Sequence, residues 1–111
     1  ILGHLIYDPS KISEEQVEAY TMPFRMKGGR ESFIKTVQSY DASDFEKMAR
    51  HYKEIKVPIL LIWGKEDRLM PPSYRAKVAL FTKAKIIEIP SCGHIPQEEC
   101  PELVLQAIRS L

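Results

Sequence analysis

Residues 57–67, Val57-Pro58-Ile59-Leu60-Leu61-Ile62-Trp63-Gly64-Lys65-Glu66-Asp67, decide the fold. The run up to Trp63 is continuously apolar and is stopped by glycine, the pattern of a strand buried on both faces of a parallel sheet, and it predicts a strand over 57–63. Pro58 fits only near its start, because proline has no N–H to give to a ladder. Toward the C-terminus, Pro72 and Ser73 open a predicted helix over 72–81, and Ile86-Ile87-Glu88-Ile89 reads as a second strand, 85–89, halted by Pro90. A last helix is predicted over 101–111, where Leu103, Val104, Ala107, Ile108 and Leu111 form an apolar face that should cover the sheet. Strand, helix, strand, helix is the order of a parallel α/β layer.

Upstream of this stretch the chain reads as helices. Ser13 with Gln16 is a capping-box pattern, and a helix is predicted over 13–22, ended by Pro23. Gly28-Gly29 marks a turn, after which Phe33, Val37 and Tyr40 share one face of a helix over 32–40. Ser43 with Glu46 repeats the capping box. Phe45, Met48, Ala49 and Tyr52 then give a third helix, 43–54, its buried stripe.

The 111 residues are enough for one small domain, and 44% hydrophobic residues can build a core for it. A formal net charge of +1 leaves no basic stripe, so no nucleic-acid partner is expected. Cys92 and Cys100 show neither CxxC spacing nor disulfide density, which fits free thiols in a reducing cytosol and predicts a cytoplasmic location. No apolar run approaches the roughly 20 residues of a membrane span, so no membrane partner is expected. The chain begins without methionine on an apolar stretch, Ile1 to Tyr7, as a piece cut from something longer would.

Two strands do not make a complete parallel sheet, so at least one edge is expected to lack a partner. Missing N-terminal strands would pair there in an intact protein. A second copy is the available substitute for the chain alone, which predicts a homodimer through the sheet edge or an exchanged segment.

In open α/β sheets ligands bind beyond the carboxyl ends of the strands. After the first strand come Glu66 and Asp67; after the second comes Ser91-Cys92-Gly93-His94. A carboxylate holding one imidazole nitrogen within about 3 Å frees the other to take a proton, so this placement suits a general base with its orienting acid. Taken alone, Asp67 is more often a turn or helix-capping residue than a catalyst, and Glu66 reads as a solvated loop acid.

Pro58 to Asp67 with Pro71, followed by Gly93-His94-Ile95-Pro96, Glu99 and Pro101, resembles the C-terminal third of the α/β-hydrolase superfamily, in the branch of epoxide hydrolases, haloalkane dehalogenases, esterases and carbon–carbon bond hydrolases. The resemblance implies that Asp67 is the triad acid and His94 the base, and that the substrate is a small molecule. It also implies that residues 1–42 end a helical cap while 43–111 end the α/β core. Trp63 is placed either to pack or to line the substrate pocket, and Glu99 to cap or precede the last helix.

The family's nucleophile sits on a Gly-x-Ser-x-Gly elbow or its aspartate equivalent, and none of the chain's serines is flanked by glycines in that way. The chain alone is therefore expected to be inactive. No cofactor is expected: no Gly-rich phosphate loop follows either strand, and the three histidines and two cysteines lack metal-ligand spacing. Cys92, beside the histidine turn, is read as structural. A non-catalytic, self-associating α/β module is the alternative to a hydrolase fragment.

Overall fold

The chain opens with a single helical turn, α1 (Leu2–Leu5), and a 3-10 turn at Pro9–Lys11. The structure, a computed structural model, describes residues 2–111, with Leu2, Ala42 and Phe45 described through their backbone alone; the expected burial of Phe45 lies outside the described residues. α2 (Glu14–Arg25) starts on the predicted capping box: the Ser13 hydroxyl accepts the Gln16 N–H at 3.2 Å, and the Gln16 side chain accepts the Ser13 N–H at 2.9 Å. It does not stop at 22. Pro23 lies in the last turn, where its missing N–H removes a single ladder bond, and the Met26 N–H closes the helix on the Pro23 carbonyl.

α3 (Gly29–Gln38) leaves the Gly28-Gly29 turn directly, three residues before the predicted start, and Phe24 meets Phe33 edge to face with ring centres 5.0 Å apart. α4 (Ala42–His51) is capped by Asp41 rather than by a Ser43–Glu46 box. The Asp41 carboxylate accepts the Ser43 N–H at 2.8 Å, which draws Ser43 inside the first turn. Of the predicted stripe, Ala49 is buried and Tyr52 half-buried, while Met48 is exposed.

β1 (Leu60–Gly64) and β2 (Lys85–Ile89) pair in parallel, Leu60 beside Lys85 and Gly64 beside Ile89. β1 begins three residues later than the predicted 57. Pro58 cannot join the ladder, and pairing starts where the Ile59 carbonyl accepts the Lys85 N–H at 3.0 Å. α5 (Pro72–Thr82) crosses between the strands and is closed by Lys83 in the left-handed region, φ 53°. Beyond β2 the chain makes a short turn, α6 (Pro96–Glu99), and then α7 (Pro101–Arg109). α7 ends at Arg109, not 111, because the Ser110 N–H and hydroxyl both turn back onto the Ala107 carbonyl.

Ile89, Cys92 and Cys100 form the core, with Ile62 and Val104 packed against it. Burying one large apolar side chain of this kind stabilises by roughly 1.5–3 kcal/mol. The strands are less covered than a sheet buried on both faces: β1 is half-buried before Gly64 and Ile86 of β2 is exposed, and among the described residues the sheet has only these two strands, so β1 has no neighbour on its outer edge. α7 covers the sheet through Val104 and Ala107 alone, leaving Leu103, Ile108 and Leu111 exposed, and Phe33, Val37 and Tyr40 are also open. The radius of gyration, 15.9 Å, exceeds the roughly 13 Å of a compact domain this long, in keeping with apolar faces that have no partner. No helix among the described residues is long and apolar enough to cross a membrane.

Candidate active site

The carboxyl ends of β1 and β2 are fastened together before any side chain takes part. The Lys65 N–H donates to the Ile89 carbonyl at 2.9 Å and the Glu66 N–H to the Cys92 carbonyl at 3.0 Å, so the two loops leave the sheet side by side. Gly64 is required there. A Cβ at that position would overlap the Gly93 carbonyl oxygen and stand 2.5 Å from that of Cys92. Ser91 completes the turn after β2 with a left-handed φ of 53°, uncommon for a residue bearing a side chain.

This framework brings Asp67 to His94. One carboxylate oxygen of Asp67, Oδ1, accepts the N–H groups of Leu69 and Met70 at 2.8 and 3.0 Å; the other, Oδ2, lies 2.9 Å from His94 Nδ1. A carboxylate only accepts, so Nδ1 carries the proton and Nε2 presents its lone pair. The Asp67 side chain is 4% exposed and that of His94 30% exposed. Asp67 is thus shielded and held from two sides while His94 reaches solvent, an arrangement in which an imidazole can take a proton and its new charge would be stabilised.

Glu66, the competing carboxylate, is turned away. It is half-buried and accepts the Cys92 N–H at 3.1 Å, a tie between the loops and not a solvated loop acid. Cys92 is fully buried and unsuited to nucleophilic attack: burial, and then its hydrogen bond with the Cys100 sulfur, push the thiol far above its ordinary value. Both cysteines are free thiols. His4 is exposed, and His51 pairs with Glu54 at 3.4 Å on an exposed surface.

Trp63, Asp67 and His94 line one cavity of about 320 Å³, with Met70, Tyr74 and Val78. Leu61, Ile62, Trp63 and Gly64 all border it. Successive strand residues point to opposite faces, so a space touching four in a row runs along the strand's edge. It occupies the side of β1 away from β2. Among the described residues, no cluster of three or more His, Cys, Asp or Glu side chains could hold a metal ion.

Glu99 precedes the last helix as the sequence suggested, without capping it, but sequence reasoning missed where its side chain goes. Its side chain lies inside the molecule, 4% exposed, and accepts backbone N–H groups from Gly93, Tyr7 and Asp8. No side-chain pattern announces such a contact, because any residue supplies the donors.

A family model described as the alpha/beta hydrolase family matches residues 8–107. A hydrolase of Bacillus subtilis (strain 168) designated YugF is 29% identical over 108 residues, which cover 96% of this chain and 38% of that protein. A 2-hydroxy-6-oxononadienedioate/2-hydroxy-6-oxononatrienedioate hydrolase of Burkholderia vietnamiensis is 30% identical over 98% of this chain and 40% of its own length. Among solved structures, an alpha/beta hydrolase fold protein from Burkholderia ambifaria superposes with a TM-score of 0.86 at 23% identity, over 99% of this chain and 40% of that one. The chain thus spans about two fifths of the length of these relatives.

Proposed function

This chain belongs to the alpha/beta hydrolase family, and we propose from that premise that it supplies the acid, Asp67, and the base, His94, of a hydrolase's catalytic triad. The observation that carries the reading is the 2.9 Å bond between Asp67 Oδ2 and His94 Nδ1, made by a carboxylate whose other oxygen is already held by two backbone N–H groups. Nε2 then takes the proton of a nucleophile or a water and returns it to the leaving group, while Asp67 stabilises the imidazolium. The nucleophile and the donors for an oxyanion come from residues beyond this chain, so the chain alone is inactive. In this reading residues 1–42 close a helical cap, 43–111 close the core, the substrate is a small molecule, and Trp63 contributes to its pocket.

The test is turnover of p-nitrophenyl acetate and of 2-hydroxy-6-oxononadienedioate, the compound for which one relative is named, by the intact protein. Asp67→Asn is expected to lower kcat by about 10⁴-fold and His94→Ala by about 10⁶-fold, the sizes of effect seen when a triad loses its orienting acid and its base. Wild-type turnover in His94→Ala overturns the assignment.

The outer edge of β1 favours a second reading of the chain as it stands, a self-associating module that pairs with a second copy. It describes the physical state of the chain rather than its chemistry, and both readings can hold.

A further inference from the structure

Two residues after the base, the chain enters α6, whose buried Pro96 and short turn point consecutive carboxylates in different directions. Glu98 faces α2: it accepts the Gln16 side-chain amide at 2.9 Å and the Tyr20 hydroxyl at 3.1 Å. Glu99 faces inward. Its Oε2 accepts the Gly93 N–H at 2.7 Å and the Tyr7 N–H at 3.1 Å, and its Oε1 accepts the Asp8 N–H at 2.6 Å. A fourth bond closes the ring without Glu99, from the His94 N–H to the Leu5 carbonyl at 2.7 Å.

The backbone of the base is therefore held by residues 5–8, directly at His94 and through one carboxylate at Gly93. The packing around Gly93 is tight: a Cβ there would stand 2.6 Å from the Leu5 carbonyl oxygen and 2.8 Å from the Tyr7 nitrogen. A buried carboxylate is costly unless charge-assisted hydrogen bonds replace its water, and three N–H donors do so here. Those donors come from two segments more than 80 residues apart in sequence, so the compensation exists only when both are seated.

We propose that Glu99 is a positioning residue for His94, making the placement of the base depend on the seating of residues 5–8 and, through Glu98, of α2. This deepens the reading of His94 as the general base and rests on it. Glu99 moves no proton; it fixes the backbone from which the imidazole reaches Asp67. An error of about 1 Å in such a group costs on the order of 100-fold in rate, so the effect falls on kcat.

The experiment uses the intact protein with p-nitrophenyl acetate as substrate. Glu99→Gln sets an amide NH₂ against backbone donors. It is expected to lower kcat by about 10- to 100-fold with KM little changed, and to shift or broaden the downfield proton resonance of the His94 Nδ1–H bonded to Asp67. A merely structural Glu99 would lower the unfolding temperature while leaving kcat and that resonance as in wild type, and this result overturns the proposal. Should Glu99→Gln fail to fold, Glu99→Asp keeps the charge but withdraws it by one methylene. Reduced kcat with a displaced resonance then supports the role, and wild-type values for both overturn it. His94→Ala measured alongside separates the two failures. Turnover surviving in His94→Ala removes the base and this proposal with it; turnover lost there but undiminished in Glu99→Gln removes the positioning role alone.

Discussion

The Gly93 carbonyl oxygen stands where a β-carbon on Gly64 would have to be, so the ends of the two strands meet backbone to backbone. Neither neighbour can yield easily, since Glu66 and Lys65 lock the same loops together through main-chain bonds. Gly64→Ala in the intact protein is expected to lower stability by at least the roughly 1–3 kcal/mol of an overpacked core. It should also reduce kcat, because Asp67 lies three residues on. Urea unfolding and steady-state kinetics check this; an unchanged midpoint would mean that the loops have slack.

Cys92 should behave as a protected thiol. Its ionisation is pushed well above the ordinary value of 9.0 by burial first and by the Cys100 sulfur second. The folded state holds the proton longer than the unfolded chain, so this group's contribution to stability is intact below pH 9 and declines as pH rises beyond it. Iodoacetamide at neutral pH is expected to leave Cys92 unmodified in the native protein and to alkylate it in urea, read by peptide mass spectrometry. Rapid native labelling would contradict its burial.

The outer edge of β1 offers a third test. Ile59 and Lys65 bond toward β2, so by alternation Leu60, Ile62 and Gly64 turn their main-chain groups outward. Sedimentation velocity on the chain by itself is expected to give a concentration-dependent dimer, and Leu60→Pro, which deletes an outward N–H at the strand's first residue, should shift it toward monomer. A folded monomer at high concentration would exclude strand pairing between copies.

The parts of this architecture that depend on local chemistry were legible in the sequence. The Ile86-Ile87 pair before Pro90, the Ser13–Gln16 box and the prolines at helix starts each act over a few residues and appear where expected, and the apolar run before Gly64 is a strand, though one that starts at Leu60 rather than Val57. The meeting of Asp67 with His94 was within reach for the same reason, since strand ends fix where loops emerge. What escaped was long-range or compensated. Pro23 sits inside α2 because one lost bond in a last turn is tolerable, and Asp41 took the cap that Ser43 was expected to provide. Glu66 and Glu99 bind main-chain donors 26 and as many as 92 residues away, contacts to which no side-chain pattern corresponds. Of the apolar stripes read for α3 and α7, Tyr40 and Leu111 fall beyond the helix ends, and among the described residues only Phe33, Val104 and Ala107 meet a partner surface.

Between Asp67 and His94 the chain travels 27 residues, yet the bond that joins them and the main-chain bonds of Lys65 and Glu66 all lie at the loop ends. The left-handed turn at Lys83 is at the opposite end of β2, beside the start of β1. Sequence added at Lys83 would lengthen the crossover without displacing either loop. The loops and the connector are therefore separable, and this turn is the seam at which a protein engineer would graft a reporter while Asp67 and His94 stay in register.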